Sequence, residues 1–354
     1  MKQSSQPTLN DVAQKAAVST ATVSRVINAP ESVKEKTRHK VQEAIEQLGY
    51  APNFSAQALA AKRTKIIGAI IPTMENAIFA QGLQAFQTAL SYHGYTLLVS
   101  SSNYQHDIEN EQIRNLVSRG VDGLLLIGEE RDHEIYDYLK KRDIPYVLAW
   151  NFKQNSEHLF VGFDNHAAAK IMAQKVIDYG HRHVGILAGI TQDNDRARDR
   201  LNGFCEAFAH NGLTLPQNAI IEVAYNIEKA GEAFMALYKQ HPDITAVICG
   251  NDVIGVGAMR CAQQQNLRIP DDISFVGFDD IQISEIISPG LTTMHVPHRQ
   301  MGQHAASLLL TVLKESIIPE SLQLTAHIIE RGSLKKIEPT QSLSSRLLSR
   351  MHLK

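Results

Sequence analysis

The amino-acid sequence predicts a small all-α head followed by an α/β body of two doubly wound lobes. Near the N-terminus, apolar residues recur at helical spacing in two short stretches, which indicates a pair of amphipathic helices. After residue 65, continuous apolar strands alternate with amphipathic helices, which indicates parallel sheets covered on both faces. The alternation runs through two successive series and therefore predicts two lobes, with a ligand crevice outside the carboxyl ends of their strands.

The first predicted helix follows Thr8, whose side chain can cap it. Its apolar residues fall at i, i+3, i+4 and i+7 and so share one face; they are Leu9, Val12, Ala13 and Ala16. The pattern breaks at Ala17 and Val18 and restarts behind Ser19, a second candidate N-cap. The apolar face of the second helix consists of Val23, Val26 and Ile27. Two short helices about one turn apart predict a helix-turn-helix.

The far side of the second helix carries small residues and one long cation, so it could approach a base-pair edge closely. These residues are Thr20, Ala21, Ser24 and Arg25. We therefore interpret this helix as a recognition helix. The alternative is that both helices belong to a small helical bundle with another purpose.

A third amphipathic helix is predicted after Ser32 and Glu35, which have the spacing of a capping box. Its apolar face consists of Val41, Ala44, Ile45 and Leu48. Gly49 is placed to end the helix before Pro52. Three helices can bury a small shared core, which favours an independent head.

Charge is distributed unevenly along the 354 residues, although the net charge is only -2. Residues 1–63 carry nine Lys or Arg against five Asp or Glu, so the head is basic and the remainder is acidic. This asymmetry favours the phosphate backbone of DNA as a partner of the head alone.

The cysteines and the hydropathy pattern indicate the compartment. The three cysteines lie inside apolar or helical runs without metal-ligand spacing, which predicts buried thiols in a reducing compartment; they are Cys205, Cys249 and Cys261. The sequence has no run of 18 apolar residues and no N-terminal apolar h-region. We therefore expect a cytoplasmic protein with neither a secretion signal nor a membrane span.

Between head and body lies the segment 53–65, NFSAQALAAKRTK, which is too short to form a stable helix alone. We expect it to fold only when something else holds it. The alternative is a plain interdomain linker with Leu59 packed against the body.

The body contains two series of apolar strands separated by helical patterns. The first series consists of residues 66–71, 96–101, 123–128 and 146–150, and the second of 183–189, 219–224, 245–250 and 273–278. Helices are predicted near 165–179, 195–210, 228–239 and 252–264. Crossings between the lobes are predicted at 162–165, 288–293 and 322–329, and a flexible tail at 335–354, which has too few leucine repeats for a coiled coil.

Several stretches of the sequence are distinctive. In the head they are TLNDVAQKAAVSTATVSRVIN, KTRHKV and LGYAPN, and in the body VGFDN, RLNGF, GNDVIGVGAMR, IPDDISFVGFDD and SPGLTTM. Together they resemble the lac-repressor (LacI/GalR) family of transcriptional regulators. The resemblance runs from Thr8 to about Leu334. It departs from the family at Ala17, where glycine is usual; a turn residue with positive φ would cost roughly 1 kcal/mol with alanine.

The resemblance implies four segments: a helix-turn-helix head at 1–52, a hinge helix at 53–64, a periplasmic-binding-protein-like body at 65–334 and the tail at 335–354. It implies a homodimer that binds a palindromic operator, with Leu59 wedged between base steps from the minor groove. The DNA-contacting residues that it implies are Thr8, Ser19, Thr20, Ala21, Thr22, Ser24, Arg25, Asn28, Asn53 and Leu59.

Polar residues at the strand ends of the second lobe predict a binding site for a small polyol. Asn251 and Asp279 follow two of its strands, and Arg198 lies at the charged start of a helix. Carboxylate, carboxamide and guanidinium groups together can bond sugar hydroxyls. The resemblance carries these residues onto effector-contacting positions, and it implies a first-lobe wall of Met74, Ile78, Phe79 and Trp150. The alternatives are that Asp279 and Asn251 are caps, that Arg198 belongs to a solvated face, and that Trp150 belongs to the core.

The sequence favours a regulator over two other classes. A solute-binding protein would need a signal peptide and no basic head. An enzyme would need a cofactor loop or a catalytic group, and the sequence shows no GxSxG, HExxH or phosphate-binding loop, so we expect neither a cofactor nor a metal. We expect a repressor controlled by a sugar or sugar acid; the alternative is a corepressor-dependent regulator that responds to a nucleobase or a phosphorylated sugar.

Overall fold

The structure is a computed structural model that describes residues 7–51, 63–75, 77–315 and 317–337. The chain divides after Thr64 into two compact units. Asn53, Leu59 and most of the predicted hinge helix lie outside the described residues, as does the predicted tail from residue 338 onward.

The first unit is a three-helix head whose helix starts follow from capping side chains. Its elements are α1 (Leu9–Ala16), α2 (Thr20–Asn28), a 3₁₀ turn (Pro30–Ser32) and α3 (Glu35–Leu48). Thr8 and Asp11 form a capping box at the start of α1, where the Thr8 hydroxyl accepts from the Asp11 N–H and the Asp11 carboxylate accepts from the Thr8 N–H. The Ser19 hydroxyl accepts from the Thr22 N–H at 3.2 Å and so caps α2.

The predicted capping box of Ser32 and Glu35 is wrong. Ser32 belongs to the 3₁₀ turn, and its hydroxyl donates to the Ala29 carbonyl at 2.7 Å. Helix α3 begins at Glu35 itself, behind Lys34, which makes no side-chain capping bond. Glu35 therefore stands two positions too early in the helix to reach back to Ser32.

The predicted apolar faces of the three helices meet in one core. Its buried members are Val12, Ala13, Ala16, Val23, Val26, Val41 and Ala44. The turn between α1 and α2 passes through Ala17, which has φ of 53° and ψ of 46°. The chain therefore uses alanine where the backbone adopts the left-handed conformation that favours glycine.

The second unit contains two parallel α/β lobes. The first series runs β1 (Ile66–Ile71), α4 (Ala77–Tyr92), β2 (Thr96–Ser101), α5 (His106–Ser118), β3 (Gly123–Ile127), α6 (His133–Lys141), β4 (Tyr146–Ala149) and β5 (Phe160–Gly162). The second runs α7 (Asn165–Asp178), β6 (Val184–Gly189), α8 (Asp195–His210), β7 (Ile220–Val223), α9 (Ile227–Gln240), β8 (Ala246–Cys249), α10 (Asp252–Gln264), β9 (Ser274–Asp279), α11 (Ile283–Ile286) and β10 (Thr292–His295). The chain ends with α12 (His298–Glu315), β11 (Leu322–Gln323) and β12 (His327–Ile329).

Among the described residues, each lobe is built on a six-stranded sheet. The orders are β11-β5-β4-β3-β1-β2 in the first lobe and β12-β10-β9-β8-β6-β7 in the second. The paired strands are parallel except for β12, which runs antiparallel to β10. The central strands are buried along their whole length, as their continuous apolar sequences predict, whereas β2 is a half-exposed edge strand.

The chain crosses between the lobes three times within the described residues. Crossings lie between β5 and α7, between β10 and α12, and between β11 and β12. The first and last coincide with the predicted crossings at 162–165 and 322–329. The prediction at 288–293 is wrong, because that segment leads into β10 and stays in the second sheet; the chain crosses a few residues later.

The body continues past the predicted boundary at Leu334. The Lys335 carbonyl accepts from His181 Nε2 at 3.0 Å, and the Ile337 N–H donates to the Tyr179 carbonyl at 2.8 Å. Residues 335–337 are therefore part of the body rather than of the tail. No helix within the described parts of the chain is long and apolar enough to cross a membrane.

Candidate ligand and DNA-reading sites

The predicted reading face of α2 points away from the core of the head. Thr20, Ala21, Arg25 and Asn28 are exposed, and Thr22 and Ser24 are half-buried. Val23 and Val26 occupy the opposite, buried face of the helix. Small residues at the start of α2 leave its N-terminal end accessible to a base edge, with Arg25 one turn further along.

In the body, the end of β9 and the first half of α8 bring a carboxylate and a guanidinium together. Asp279 ends β9 and is 1% exposed, and Arg200 Nη2 donates to its Oδ1 at 3.0 Å. Burial raises the pKa of Asp279 above its usual range, against the opposing effect of Arg200. The φ of 106° at Asp279 is a strained backbone conformation that places its side chain in the crevice between the lobes.

The guanidinium of Arg200 donates to three acceptors and packs on an aromatic ring. Nε donates to Asn165 Oδ1 at 2.8 Å and Nη1 to the Gly250 carbonyl at 3.0 Å, and the group lies 3.9 Å over the Phe278 ring. A planar cation fixed on several acceptors is a preorganised donor surface for an oxygen-rich ligand.

The prediction that placed Arg198 in this site is wrong. Its Nη1 and Nη2 donate to the carboxylate of Glu130 in the first lobe at 3.0 and 2.9 Å, and its side chain is 43% exposed. Arg196 and Arg200 are four residues apart and share the face of α8 that meets the crevice, while Arg198 lies on another face. The helical spacing within DRARDR, together with the RLNGF motif, was the signal that could have selected Arg200.

Asn251 caps a helix, which is the alternative to effector binding that the sequence left open. Its side-chain oxygen accepts from the Ile254 N–H at 2.9 Å and caps α10, and the residue is 1% exposed. It lies directly after the Gly250 carbonyl to which Arg200 donates. We infer that Asn251 supports the site through the backbone of that loop.

The first-lobe wall is aromatic and lies partly where it was predicted. Ile78, Phe79 and Trp150 line an inner pocket together with Arg200 and Asp279. The Phe79 and Trp150 rings lie 5.6 Å apart between centroids at an angle of 60°. Met74 is 56% exposed and does not line this pocket.

His298 connects the two lobes behind this wall, a role that the sequence did not reveal. Trp150 Nε1 donates to His298 Nδ1 at 3.0 Å, and Nε2 of the same ring lies 3.1 Å from the Asp279 carbonyl. Because Nδ1 accepts, Nε2 must carry the proton and donate. Burial lowers the pKa of His298 to about 3, so the ring stays neutral in this role.

A larger outer cavity of about 450 Å³ adjoins the inner pocket. The inner pocket measures about 20 Å³, room for roughly one water molecule. Both are lined by Tyr104, Asn194 and Tyr225. The two cavities are therefore neighbouring parts of one crevice, and in this conformation only the outer one can hold a small molecule.

The start of α8 is bonded to the first lobe by a set of contacts that we call the interlobe clasp: Asp195, Arg196 and Arg198 with Ile127, Glu129, Glu130 and Asn151. Asp195 Oδ2 accepts from the Glu129 N–H at 2.7 Å and from Asn151 Nδ2 at 3.0 Å. Burial opposes ionisation of Asp195, but Arg196 and the Glu129 N–H outweigh it, so its pKa lies below the usual range. Arg196 is the member of this clasp that also lines the inner pocket.

A helix-turn-helix head followed by a two-lobed body with a ligand crevice defines a ligand-responsive, DNA-binding regulator. Comparisons with known proteins agree. Residues 8–53 match the model of bacterial regulatory proteins of the lacI family, and residues 64–332 match that of periplasmic binding proteins and the sugar binding domain of the LacI family.

The chain is 32% identical to catabolite control protein A of Priestia megaterium, over 91% of this chain and 97% of that protein. It is also 32% identical to the transcriptional repressor PurR of Vibrio cholerae, over 93% and 98% of the two chains. The lac repressor dimer bound to operator and the anti-inducer ONPF superposes with a TM-score of 0.83 at 27% identity, covering 93% and 99%.

The chain therefore belongs to the LacI family of bacterial transcriptional regulators. It is a DNA-binding repressor with a domain for a small-molecule effector, and not an enzyme.

Proposed function

We propose that this protein is a homodimeric cytoplasmic repressor whose affinity for a palindromic operator is set by a sugar or sugar acid bound between its two lobes. The observation that carries the effector assignment is the buried Asp279–Arg200 pair, which faces the aromatic wall of Phe79 and Trp150 in the crevice. An ionised acceptor and a fixed planar donor can bond adjacent hydroxyl groups while an aromatic face packs on the sugar ring.

The mechanism rests on unequal binding to two states. An effector changes operator affinity only through its affinity difference between the conformations of the lobes, a coupling of about 1 to 3 kcal/mol in typical cases. The inner pocket has room for roughly one water molecule, so a sugar ring that reaches Asp279 must displace side chains or separate the lobes. The conformation of the lobes is thereby coupled to occupancy of the pocket.

In the head, we propose that α2 reads the operator through Thr20, Ala21 and Arg25. Substitution of Thr20 and Ala21 by other residues should change which bases the protein prefers. Arg25→Ala should reduce the discrimination between operators by roughly 1 to 3 kcal/mol. The proposed wedge Leu59 should contribute to operator binding but little to nonspecific binding.

The test of the effector site is a titration of operator binding against candidate effectors. The operator is selected by the purified protein from a library of random duplexes, which also shows whether the site is palindromic. Asp279→Asn keeps the shape of the side chain and removes its charge, so this variant should bind operator like the parent but fail to respond to effector. Asp137→Asn, at an exposed position of α6, is the matched control.

This titration distinguishes an effector that releases the operator from a corepressor. If the effector strengthens operator binding by the parent, it is a corepressor, and Asp279→Asn should then bind the operator weakly even when the effector is present. An unchanged response of Asp279→Asn would remove Asp279 from the site. For the homodimer, removal of the chain after Ile337 should leave the sedimentation behaviour of the dimer unchanged.

A further inference from the structure

We propose that the outer cavity is a second subsite, and that the effector is a neutral glycoside of at least two rings, with one ring at Asp279 and Arg200 and the next in the outer cavity. This inference rests on the proposed function and deepens it. It narrows the effector class by excluding sugar acids, phosphorylated sugars and nucleobases.

The polar lining of the outer cavity matches hydroxyl groups. Five residues with carboxamide side chains line it, and they are Asn103, Gln105, Gln192, Asn194 and Asn226. A carboxamide both donates and accepts, as a sugar hydroxyl does, so such side chains can follow a ring in either role. Asn194 and Asn226 also cap helices, which leaves the exposed Asn103, Gln105 and Gln192 to adapt to a ligand.

The charge of the outer cavity excludes an anionic occupant. Its lining contains Glu75 and Asp193 and, among the described residues, no lysine or arginine. A carboxylate or phosphate there would be repelled by two acidic groups and would find no cation to pair with.

The inner pocket adds no net positive charge. Arg200 is paired with Asp279, and Arg196 with Asp195, and all four groups are buried. A phosphate would have to displace one of these carboxylates from its arginine and leave it buried without a partner, which is strongly unfavourable. A neutral ring can instead bond to Asp279 Oδ2, for which the described residues provide no hydrogen-bond donor, and leave both pairs intact.

The aromatic rings are arranged for sugar rings rather than for a sandwiched base. Tyr104 from the first lobe and Tyr225 from the second lie 5.7 Å apart between centroids, tilted by 39°, at the junction of the two cavities. Phe79 and Trp150 are similarly close and tilted by 60°. Rings that already touch one another leave no parallel slot for a flat base, but their edges and faces can pack on the puckered surface of a sugar. The tyrosine pair lies where the two rings of a glycoside would meet.

The experiment measures binding to the full chain with matched ligands. The neutral disaccharides are maltose, cellobiose, lactose, sucrose and trehalose. They are compared with glucose and galactose, with maltobionate, lactobionate and gluconate, with glucose 6-phosphate, and with hypoxanthine. Binding is followed by the rise in melting temperature and by the emission of Trp150, the single tryptophan of the chain, which lines the inner pocket.

We expect at least one neutral disaccharide to bind more than tenfold more tightly than its component monosaccharide and to change operator affinity. If maltose or lactose binds, it should also bind more than tenfold more tightly than its aldonic acid. A monosaccharide that binds as tightly overturns the second subsite. An acid, a phosphate ester or hypoxanthine that binds more tightly, or no response to any neutral disaccharide, overturns the effector class. Failure to select any operator from random duplexes is the separate result that contradicts the proposed function.

Two variants locate the second ring. Gln105→Ala and Gln192→Ala remove one carboxamide from each lobe at exposed positions that cap no helix through their side chains. Combined, they should weaken the disaccharide at least fivefold and leave the affinity for its monosaccharide unchanged. Gln240→Ala, at the exposed end of α9, is the control and should change neither. Equal loss for both ligands, or no loss for either, would overturn the assignment of the outer cavity to the second ring.

Discussion

Ala17 forms the turn between α1 and α2 in a left-handed backbone conformation that favours glycine. Its φ of 53° requires a conformation that costs alanine about 1 kcal/mol relative to glycine. We expect Ala17→Gly to stabilise the head by about this amount and so to slow amide exchange of α1 and α2 in the full chain roughly fivefold.

Gly49 supplies the matched control at the end of α3. It has φ of 62°, and a Cβ there would meet nothing within 4 Å, so Gly49→Ala tests the same backbone cost without a steric contribution. We expect faster amide exchange in this variant, by a similar factor. The explanation would be contradicted if both variants shifted exchange in the same direction.

Asp252 makes the stability of the body depend on pH. It is fully buried, and Oδ2 accepts from the Ile281 N–H at 2.9 Å and from the Ser284 hydroxyl at 2.7 Å, while Thr293 bonds to Oδ1. Burial and the nearby Asp279 raise the pKa of Asp252 to about 7. An unfolded Asp has a pKa of about 3.9, so the folded body binds the extra proton between these values.

The folded body therefore becomes less stable as the pH rises. The stabilisation that comes from the raised pKa of Asp252 is fully present below about pH 4 and is lost as the pH rises through about 7. Asp252→Asn mimics the protonated acid, since its amide can donate to Thr293 while its oxygen accepts the other two bonds. Urea unfolding at pH 5 and pH 8 should therefore show a larger loss of stability for the parent than for Asp252→Asn. Equal losses would show that Asp252 is ionised throughout.

Arg198 and Arg200, two residues apart in α8, make different contacts. Arg200 bonds three acceptors around the pocket, whereas Arg198 forms an ion pair with Glu130 at the rim. Lysine keeps the charge but cannot replace three directed bonds. We expect Arg200→Lys to weaken effector binding at least tenfold, as measured by Trp150 emission, and Arg198→Lys to change it less than threefold. The reverse order would restore the original sequence-based assignment of Arg198.

Helices α4 and α12 approach each other through two glycines. A Cβ on Gly302 would lie 2.0 Å from the Gly82 carbonyl oxygen, and backbone atoms cannot move aside as a side chain can. Gly302→Ala should therefore destabilise the body by about 3 kcal/mol or more, which a thermal melt will show. Gly231→Ala in α9 is the control. Its Cβ would lie 3.3 Å from Cys261 Cβ, a tight contact that a shift of a few tenths of an ångström relieves, and alanine has the higher helix propensity, so this variant should lose much less stability than Gly302→Ala.

At the scale of the whole body, we expect the interlobe clasp to oppose entry of an effector into the inner pocket. Glu130 and Arg198 are partly exposed, and such pairs contribute about 0 to 1 kcal/mol. Glu130→Gln should therefore raise effector affinity modestly, about twofold to fivefold, and added salt should act on the parent in the same direction. Glu134→Gln on the exposed side of α6 is the control. A lower affinity in Glu130→Gln would show that the clasped conformation is the one that binds effector.

Local pattern was sufficient for most strands of this fold. The apolar runs predicted β1 to β4 and β6 to β9 to within about a residue at each end, because a buried parallel strand needs apolar side chains on both faces. The short strands β5 and β10 were not predicted as strands. The helix spacing of Val12, Val23 and Val41 likewise predicted the core of the head. The basic head and the apolar strands thus determined the architecture and the DNA-binding class before any tertiary contact was known.

Tertiary structure decided which polar groups meet. Helical spacing groups Arg196 with Arg200 and separates both from Arg198, but the orientation of α8 decides which of these faces meets the crevice and places Arg200 on Asp279. His298 and Tyr225 come from distant elements with no motif of their own, yet Tyr225 lines the crevice and His298 bonds to Trp150 and Asp279 behind it. Local periodicity reflects which face of an element is buried, whereas a binding site depends on long-range packing that brings together residues far apart in the chain.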